Sequence, residues 1–255
     1  MSKVQAIAMN TFKEAVRDRI LYAILVFAIA MIASTYILAT IGAGGGERIV
    51  RDLGLAFISI FGVLIAVFIG IGLVHKEIDR RTIYTIVTKP IHRAQFILGK
   101  FLGLSFTLFV NVAIMTGALI GLIFLAEGLW DFRLAAASAM ILLELMVITG
   151  VAVLFSAFST PALSAIFTLS FFAIGRFLDD LRIFGEQYAG PLGRTAIQAL
   201  YYLLPNLGRF NISAEVVHGL PLGEVVSAMT ILYGFLYIVA LLALTVLIFQ
   251  RRDFR

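Results

Sequence analysis

Apolar residues in this chain gather into six long blocks, separated by shorter and more polar segments. A helix that crosses a bilayer needs about 20 mostly apolar residues. The blocks that fit are Ile20–Ile41, Leu55–Val74, Leu102–Leu125, Leu134–Ala157, Pro161–Phe177 and Val225–Ile248. Only residues 158–160 separate the fourth block from the short fifth one, which predicts a tight hairpin. The pattern predicts an all-α integral membrane protein with six transmembrane helices in a single domain, residues 1–255.

The first 19 residues have a different periodicity. Apolar side chains recur on one helical face, which comprises Val4, Ile7, Ala8, Phe12, Ala15 and Val16. Polar and charged side chains lie elsewhere around the helix. This pattern is typical of an amphipathic helix that lies in the membrane interface. The alternative is a short solvated cap on the first span.

Composition agrees with a membrane protein. Of 255 residues, 61% are hydrophobic and 14% are charged, whereas soluble domains have roughly 25% charged residues. The mean hydropathy is +1.03. The lack of cysteine excludes disulfides and thiolate metal sites. The net charge of +5 does not require a nucleic acid partner, because excess Lys and Arg mark the cytoplasmic side of membrane proteins.

Basic residues divide unevenly between the two sides of the predicted bundle. Six spans place both termini on one side, together with the loop at residues 75–100. That side carries 13 of the 20 basic residues, including all five lysines. The asymmetry predicts a multi-pass protein whose termini both lie in the cytoplasm.

The opposite side has one long segment, residues 178–224, that is rich in proline and glycine. Within it, residues 194–206 are too few to span a bilayer and too apolar to be freely solvated. They predict a short helix that is stopped by Pro205. This helix is either re-entrant or lies flat, with Tyr201 and Tyr202 at headgroup level.

Candidate catalytic chemistry is sparse. The sequence has no HExxH, GxSxG or Walker A motif, and its three histidines are scattered, so no metal site is expected. Glu144 and Asn111 are the polar residues of interest inside the spans. A carboxylate in hydrocarbon is costly and by default suggests function. Glu144 is therefore either a structural partner of a neighbouring helix or the proton carrier of an ion-coupled secondary transporter; an intramembrane enzyme is a weaker alternative.

Arg176 stands at the end of the fifth block. Long basic side chains at such positions commonly reach the membrane surface. We expect Arg176 to do so, or to pair with Asp179 or Asp180.

Small residues recur at four-residue spacing in two of the spans. They are Gly62, Ala66 and Gly70 in the second span, and Gly117 and Gly121 in the third, which Gly99 and Gly103 precede. Such spacing lets helices approach closely. The expected partners are helices of the same chain, and a dimer seam is the alternative.

The loop at residues 75–100 combines charge with an apolar stripe. Its first part, residues 78–90, contains no glycine and predicts a helix that stops before Pro90. Ile83, Ile86 and Val87 share one face of this helix with Pro90. An exposed apolar face usually marks a contact surface. The stripe could pack on the protein itself, on lipid or in a cleft of a soluble partner.

The same loop resembles the intracellular signature of ABC-2-type transporter permeases, the membrane subunits of type V-like ABC transporters. Members commonly show a Glu, a Thr-Ile pair, a short apolar helix, a "KP-[VI]-x-R" corner and a "GK-[FL]-x-G" entry into the third span. The matching residues here are Glu77, Thr82-Ile83, Lys89-Pro90-Ile91 with Arg93, and Gly99-Lys100-Phe101 with Gly103. Arg81 stands where many members have glycine. The amphipathic start, the six spans, "YLLPNLGRF" and the terminal "RRDF" extend the resemblance along the chain, which also fits the copper-enzyme-maturation branch.

The resemblance implies a coupling helix that inserts into a separate ABC ATPase subunit. Its residues would be Glu77, Arg80, Arg81, Thr82, Ile83, Ile86, Val87, Lys89 and Pro90. ATP and Mg²⁺ would be bound by that ATPase, and this chain would hold no cofactor. The other expected partners are membrane lipid and a second permease copy or a paralogue, in a bacterial or archaeal plasma membrane. The family mostly exports. The apolar spans have no ring of charge suited to a small ion, which favours a lipid-like or amphipathic cargo, or conformational work on a membrane protein.

Overall fold

A computed structural model describes residues 2–41, 46–79, 92–128, 130–221 and 226–251 of the chain. Every regular element in these ranges is helical. The α-helices are α1 (Lys3–Val16), α2 (Arg19–Ile41), α3 (Gly46–Asp79), α4 (Arg93–Glu127), α5 (Arg133–Ser156), α6 (Pro161–Arg176), α7 (Leu178–Tyr188), α8 (Pro191–Leu203), α9 (Ser213–Val217) and α10 (Ala228–Arg251). A 3-10 helix at Leu207–Phe210 lies between α8 and α9.

Five of these helices, α2, α3, α4, α5 and α10, are long and apolar enough to cross a membrane. Helices α6 and α7 together pass the same test but are bent by 65° at their junction, so they count as a sixth crossing if the pair is one span. The chain is therefore an all-α, multi-pass membrane protein, as its sequence predicts. With 16 residues, α6 rises only about 24 Å, which is less than the roughly 30 Å of a hydrocarbon core.

The centre of the bundle is formed by α3 and α5. Of the apolar stretch of each span, 78% is buried inside the protein in α5 and 72% in α3, compared with 28% in α2 and 22% in α10. Gly62 of α3 lies against Leu145, and Gly70 lies against Ala152, both of α5. These glycines allow the two central helices to approach closely, which confirms packing within the chain for this set of small residues.

The predicted hairpin between the fourth and fifth spans is confirmed, since α5 and α6 pack on each other across residues 157–160. Pro161 is the first residue of α6. Proline is well suited to this position, because the first helical N–H has no intrahelical acceptor and the fixed φ of proline matches the helix.

At the opposite end of the bundle, Arg51 joins three segments of the chain. Its guanidinium contacts the carboxylates of Glu127 at the end of α4 and of Asp131 in the following turn, the latter at 3.2 Å. Glu47, one turn earlier in α3, lies 3.7 Å away. The network fixes the start of α3 and the end of α4 relative to the start of α5.

Helices α7 and α8 form a hairpin. Gly185 of α7 lies against Ile197 of α8, and the Arg182 guanidinium stacks over the Tyr201 ring at 4.9 Å. The chain then turns inward at Pro205, and Leu207 and Phe210 become fully buried. The helix predicted within residues 194–206 is confirmed, including its end before Pro205. Its position relative to the headgroups stays a prediction.

Candidate functional site

Eight of the nine residues predicted to form the coupling helix lie outside the described residues. These are Arg80, Arg81, Thr82, Ile83, Ile86, Val87, Lys89 and Pro90. The ninth, Glu77, belongs to the last turns of α3, where its backbone is helical. The described part of the site is therefore the group of helices that flanks this segment. We call this group the platform: the end of α3 and the start of α4, together with α1 and the end of α10, which pack on α4.

The platform is built by the two longest helices of the protein. The 34 residues of α3 and the 35 residues of α4 correspond to about 51 and 52 Å. A bilayer with its headgroups measures about 40–45 Å. Both helices are therefore longer than a bilayer is thick.

Helices α3 and α4 run antiparallel, which brings the two ends that flank residues 80–91 together. Gly54 of α3 lies against Leu119 of α4. Fifteen residues further along α3, Ile69 lines the same small void as Leu104. Continued in this register, Asp79 at the end of α3 lies beside the start of α4. The segment predicted to bind an ATPase thus connects two adjacent helix ends.

The end of α10 is fastened to the start of α4. The Arg93 guanidinium donates a hydrogen bond of 2.7 Å to the Phe249 carbonyl oxygen. The rings of Phe96 and Phe249 stack with their centroids 6.3 Å apart. Arg93 belongs to the "KP-[VI]-x-R" corner, so this corner also links the last span to the platform.

Helix α1 packs on the first turns of α4 through the residues of the "GK-[FL]-x-G" motif. Gly99 lies against Ile7 and the Val4 carbonyl oxygen, and Gly103 lies against Ala8 and Thr11. A Cβ atom at Gly103 would be 2.5 Å from the Ala8 carbonyl oxygen, well inside van der Waals contact. The motif therefore forms the surface of α4 on which α1 packs, and we call this surface the seat of α1.

Lys100, between these glycines, completes the seat. Its side chain is almost fully buried, with its ammonium 3.9 Å from the Glu14 carboxylate of α1 and 5.9 Å from the centroid of the Phe96 ring. The first helix is thus not a freely solvated cap on the first span. It is an integral wall of the platform, together with α3, α4 and α10.

The prediction for Arg176 is wrong. Its guanidinium reaches back to Glu144 of α5, with both carboxylate oxygens at 2.8 and 3.0 Å from the same nitrogen. Glu144 is fully buried, and the Arg176 side chain is 20% exposed. Arg176 points inward because α6 is short, so its last residue ends at the depth of a buried carboxylate that needs a countercharge. Glu144 therefore has the structural partner that one interpretation of the sequence required.

Asn111, the other predicted polar residue inside the spans, forms a hydrogen bond within its own helix. It is buried in α4, and its amide donates to the Thr107 carbonyl oxygen of the same helix at 2.8 Å. Among the described residues, no hydrogen bond links Asn111 to Glu144. A joint intramembrane polar site of Glu144 and Asn111 stays a prediction.

A second polar cluster lies beside the bend between α6 and α7, and it was not predicted from the sequence. The side-chain amide of Asn206 donates to Asp179 of α7 at 2.7 Å, and its backbone N–H donates to the Tyr233 hydroxyl of α10 at 2.8 Å. Gly175 lies against Leu207 and the Pro205 carbonyl oxygen. The "PNLGRF" stretch thus joins the bend to the last span. Its signal in the sequence was a Pro-Asn pair inside an apolar run.

The sequence profile described as "ABC-2 family transporter protein" matches residues 5–254. The match covers α1, all the spans and the platform. The chain belongs to the ABC-2 transporter family. Among curated proteins, none matches this ABC-2 chain. The copper-enzyme-maturation branch stays a prediction, since the profile describes the family as a whole.

Membership of the ABC-2 family makes this protein a permease component of an ABC transporter, rather than an enzyme in itself. Within the described ranges of this permease, no group of three or more His, Asp or Glu side chains could hold a metal ion. Two features stand out in the described part of the ABC-2 permease: the helices packed around the ends that flank residues 80–91, and the buried ion pair beside the bend between α6 and α7.

Proposed function

We propose that this chain is the membrane subunit of an ATP-driven exporter and that residues 77–90 transmit force from a separate ATPase subunit. ATP and Mg²⁺ are bound by that ATPase. Both termini and the platform lie in the cytoplasm, where the basic residues concentrate.

The observation that carries this proposal is the pairing of two helix ends. Residues 80–91 connect the end of α3 to the start of α4, and both helices are longer than a bilayer is thick. In the proposed orientation, a soluble protein in the cytoplasm can therefore reach the segment. Both helices continue as stiff spans: Val63 and Ile65 of α3 are buried in the bundle, as are Leu104 and Leu108 of α4. A displacement of the segment therefore moves two spans as rigid bodies. Such a rigid connection is required to couple a two-state ATPase to a two-state membrane domain.

A second permease copy or a paralogue completes the proposed transporter. Large apolar side chains on α6 face outward, with Leu163, Ile166 and Phe167 each more than 40% exposed. Between helices in lipid, association depends on close packing rather than on hydrophobicity. The outward faces of the peripheral spans are therefore the surfaces offered to a second subunit and to lipid.

The buried ion pair argues against a proton-carrying secondary transporter. Glu144 is completely buried, and a single guanidinium nitrogen contacts both of its oxygens. A proton carrier must be exposed to an aqueous path on each side in turn. A carboxylate held by Arg176 has the geometry of a structural partner instead.

The proposal predicts that Ile83→Asp will detach the ATPase. A charge placed on the apolar stripe loses its water when the stripe enters a cleft. We expect ATPase activity that co-purifies with the tagged chain from its native membrane to fall at least about tenfold, which corresponds to about 1.4 kcal/mol of binding. The measurement is the rate of ATP hydrolysis per mole of purified permease, with the ATPase subunit quantified by mass spectrometry.

Ile183→Asp is the matched control, because Ile183 is exposed on α7 at the opposite end of the bundle and undergoes the same chemical change. It should retain the ATPase. Equal recovery of ATPase with both variants contradicts the proposal. Transport that continues without any ATPase and is abolished by Glu144→Gln would instead establish an ion-coupled transporter.

A further inference from the structure

A groove of about 440 Å³ lies between α1 and α4. Its walls are formed mainly by Met9 and Phe12 of α1 and by Leu102 and Phe106 of α4, and Gln5 is its one polar lining residue. The Phe12 and Phe106 rings meet edge to face, with their centroids 4.7 Å apart. The groove is therefore apolar and runs along the contact between α1 and α4.

The groove opens outward rather than into the bundle. Met9, Leu102 and Phe106 are 44%, 50% and 48% exposed. They lie where an amphipathic helix meets the first turns of a membrane span, at the level where lipid headgroups give way to acyl chains. The surroundings of this opening are thus lipid.

The outer face of α1, next to the groove, is basic. Lys13 and Arg17 are four residues apart and both exposed, and Lys13 lies one helical turn after the groove residue Met9. The acidic residue in this part of α1, Glu14, faces Lys100 of α4 instead. Basic side chains at the membrane surface attract anionic lipid headgroups, by about 1 kcal/mol each.

We propose that this groove binds one anionic phospholipid. One acyl chain lies against Met9, Phe12, Leu102 and Phe106, and the headgroup is held by the basic face of α1. The volume suits a flexible hydrocarbon chain, whereas a helix with its side chains is about 10 Å wide and does not fit. Charge complementarity selects the anionic headgroup. The proposal is independent of the ATPase, because the groove lies entirely within this chain.

Tryptophan fluorescence in vesicles tests the site directly. The chain has one tryptophan, and Trp130→Phe removes it while it keeps an aromatic ring against Phe124. Phe106→Trp then places a single reporter in the groove. In vesicles of phosphatidylcholine and phosphatidylglycerol, one lipid at a time carries brominated acyl chains, which quench a tryptophan that they touch. Leu236→Trp on the exposed face of α10 serves as the matched reporter.

We expect brominated phosphatidylglycerol to quench the groove reporter with about fivefold higher relative affinity than brominated phosphatidylcholine, which is the effect of one basic side chain. The α10 reporter should show a ratio near 1. The double change Lys13→Gln and Arg17→Gln should bring the groove ratio down to the same value. Equal ratios at both reporters overturn the proposal, and so does a groove preference that survives the double change.

Discussion

Replacement of Arg176 by methionine is expected to lower the free energy of unfolding by about 3–5 kcal/mol, the cost of leaving one member of a buried ion pair alone. Methionine keeps much of the length of the side chain and removes its charge. Glu144 is completely buried in the fold. The change would therefore leave its carboxylate buried without a countercharge. The measurement is unfolding of the detergent-solubilised protein by heat or denaturant, followed by circular dichroism.

Two further variants separate the ion pair from a general effect of mutation. Arg182→Met removes an arginine from an exposed pair with Glu186, at 3.0 Å in the next turn of α7, and should cost about 0–1 kcal/mol. The double change Glu144→Leu with Arg176→Met removes both charges and should recover most of the lost stability. If Arg176→Met and Arg182→Met destabilise equally, the buried pair has no special role.

The ion pair also determines how the fifth span can move. It fixes the last residue of α6 to the middle of α5, immediately before the 65° bend that leads into α7. The Asn206 cluster fixes the other side of the same bend to α10. A rearrangement of the outer segment must therefore break one of these two polar junctions, or move α5 and α10 with it.

The spans and the hairpin could be predicted because hydrocarbon imposes simple requirements on length and composition. The pattern also located the α1 helix and the end of α8 before Pro205. In each case the signal is local, since it depends on the residue types within a few turns. The position of one helix beside another is not local, and the sequence alone left several such contacts open.

The Glu144–Arg176 contact shows where a signal existed and was missed. With a tight turn at residues 158–160, two antiparallel helices place residues at equal distances from the turn side by side. Glu144 lies 15 residues before Ser159, and Arg176 lies 17 residues after it. That register predicts a meeting of the two charges. Asp179 and Asp180 are close to Arg176 in sequence and were therefore expected as its partners. The bend between α6 and α7 directs them away from Arg176.

The glycine spacings illustrate a real limit. Gly62 and Gly70 pack within the bundle, and Gly99 and Gly103 seat α1, yet no atom from another helix lies within 4 Å of a Cβ built at Gly117 or Gly121. The three sets have the same four-residue spacing, so spacing alone cannot tell them apart. What differs is the helix that faces them, and this depends on the whole arrangement of the bundle.

Replacement of Gly103 by leucine is expected to dislodge α1, at a cost of about 3 kcal/mol in stability, the upper end of the range for overpacked sites. The first added carbon alone would lie 2.5 Å from the Ala8 carbonyl oxygen and 2.6 Å from the Thr11 Cβ. Backbone and a buried β-carbon cannot yield as a flexible side chain can, so the whole helix must shift. The Lys100–Glu14 contact and the lipid groove should be lost together with the seat.

A single engineered cysteine reports this displacement, because the chain has none of its own. Thr11 is fully buried against α4, so Thr11→Cys should react slowly with a maleimide in the otherwise unchanged protein and at least about ten times faster with Gly103→Leu, since about 1.4 kcal/mol of lost docking is a factor of ten. Gly117→Leu, in the same helix and with open space around it, should leave the labelling rate unchanged. Similar rates in the two leucine variants would show that α1 does not depend on this seat, and that the glycine serves another purpose.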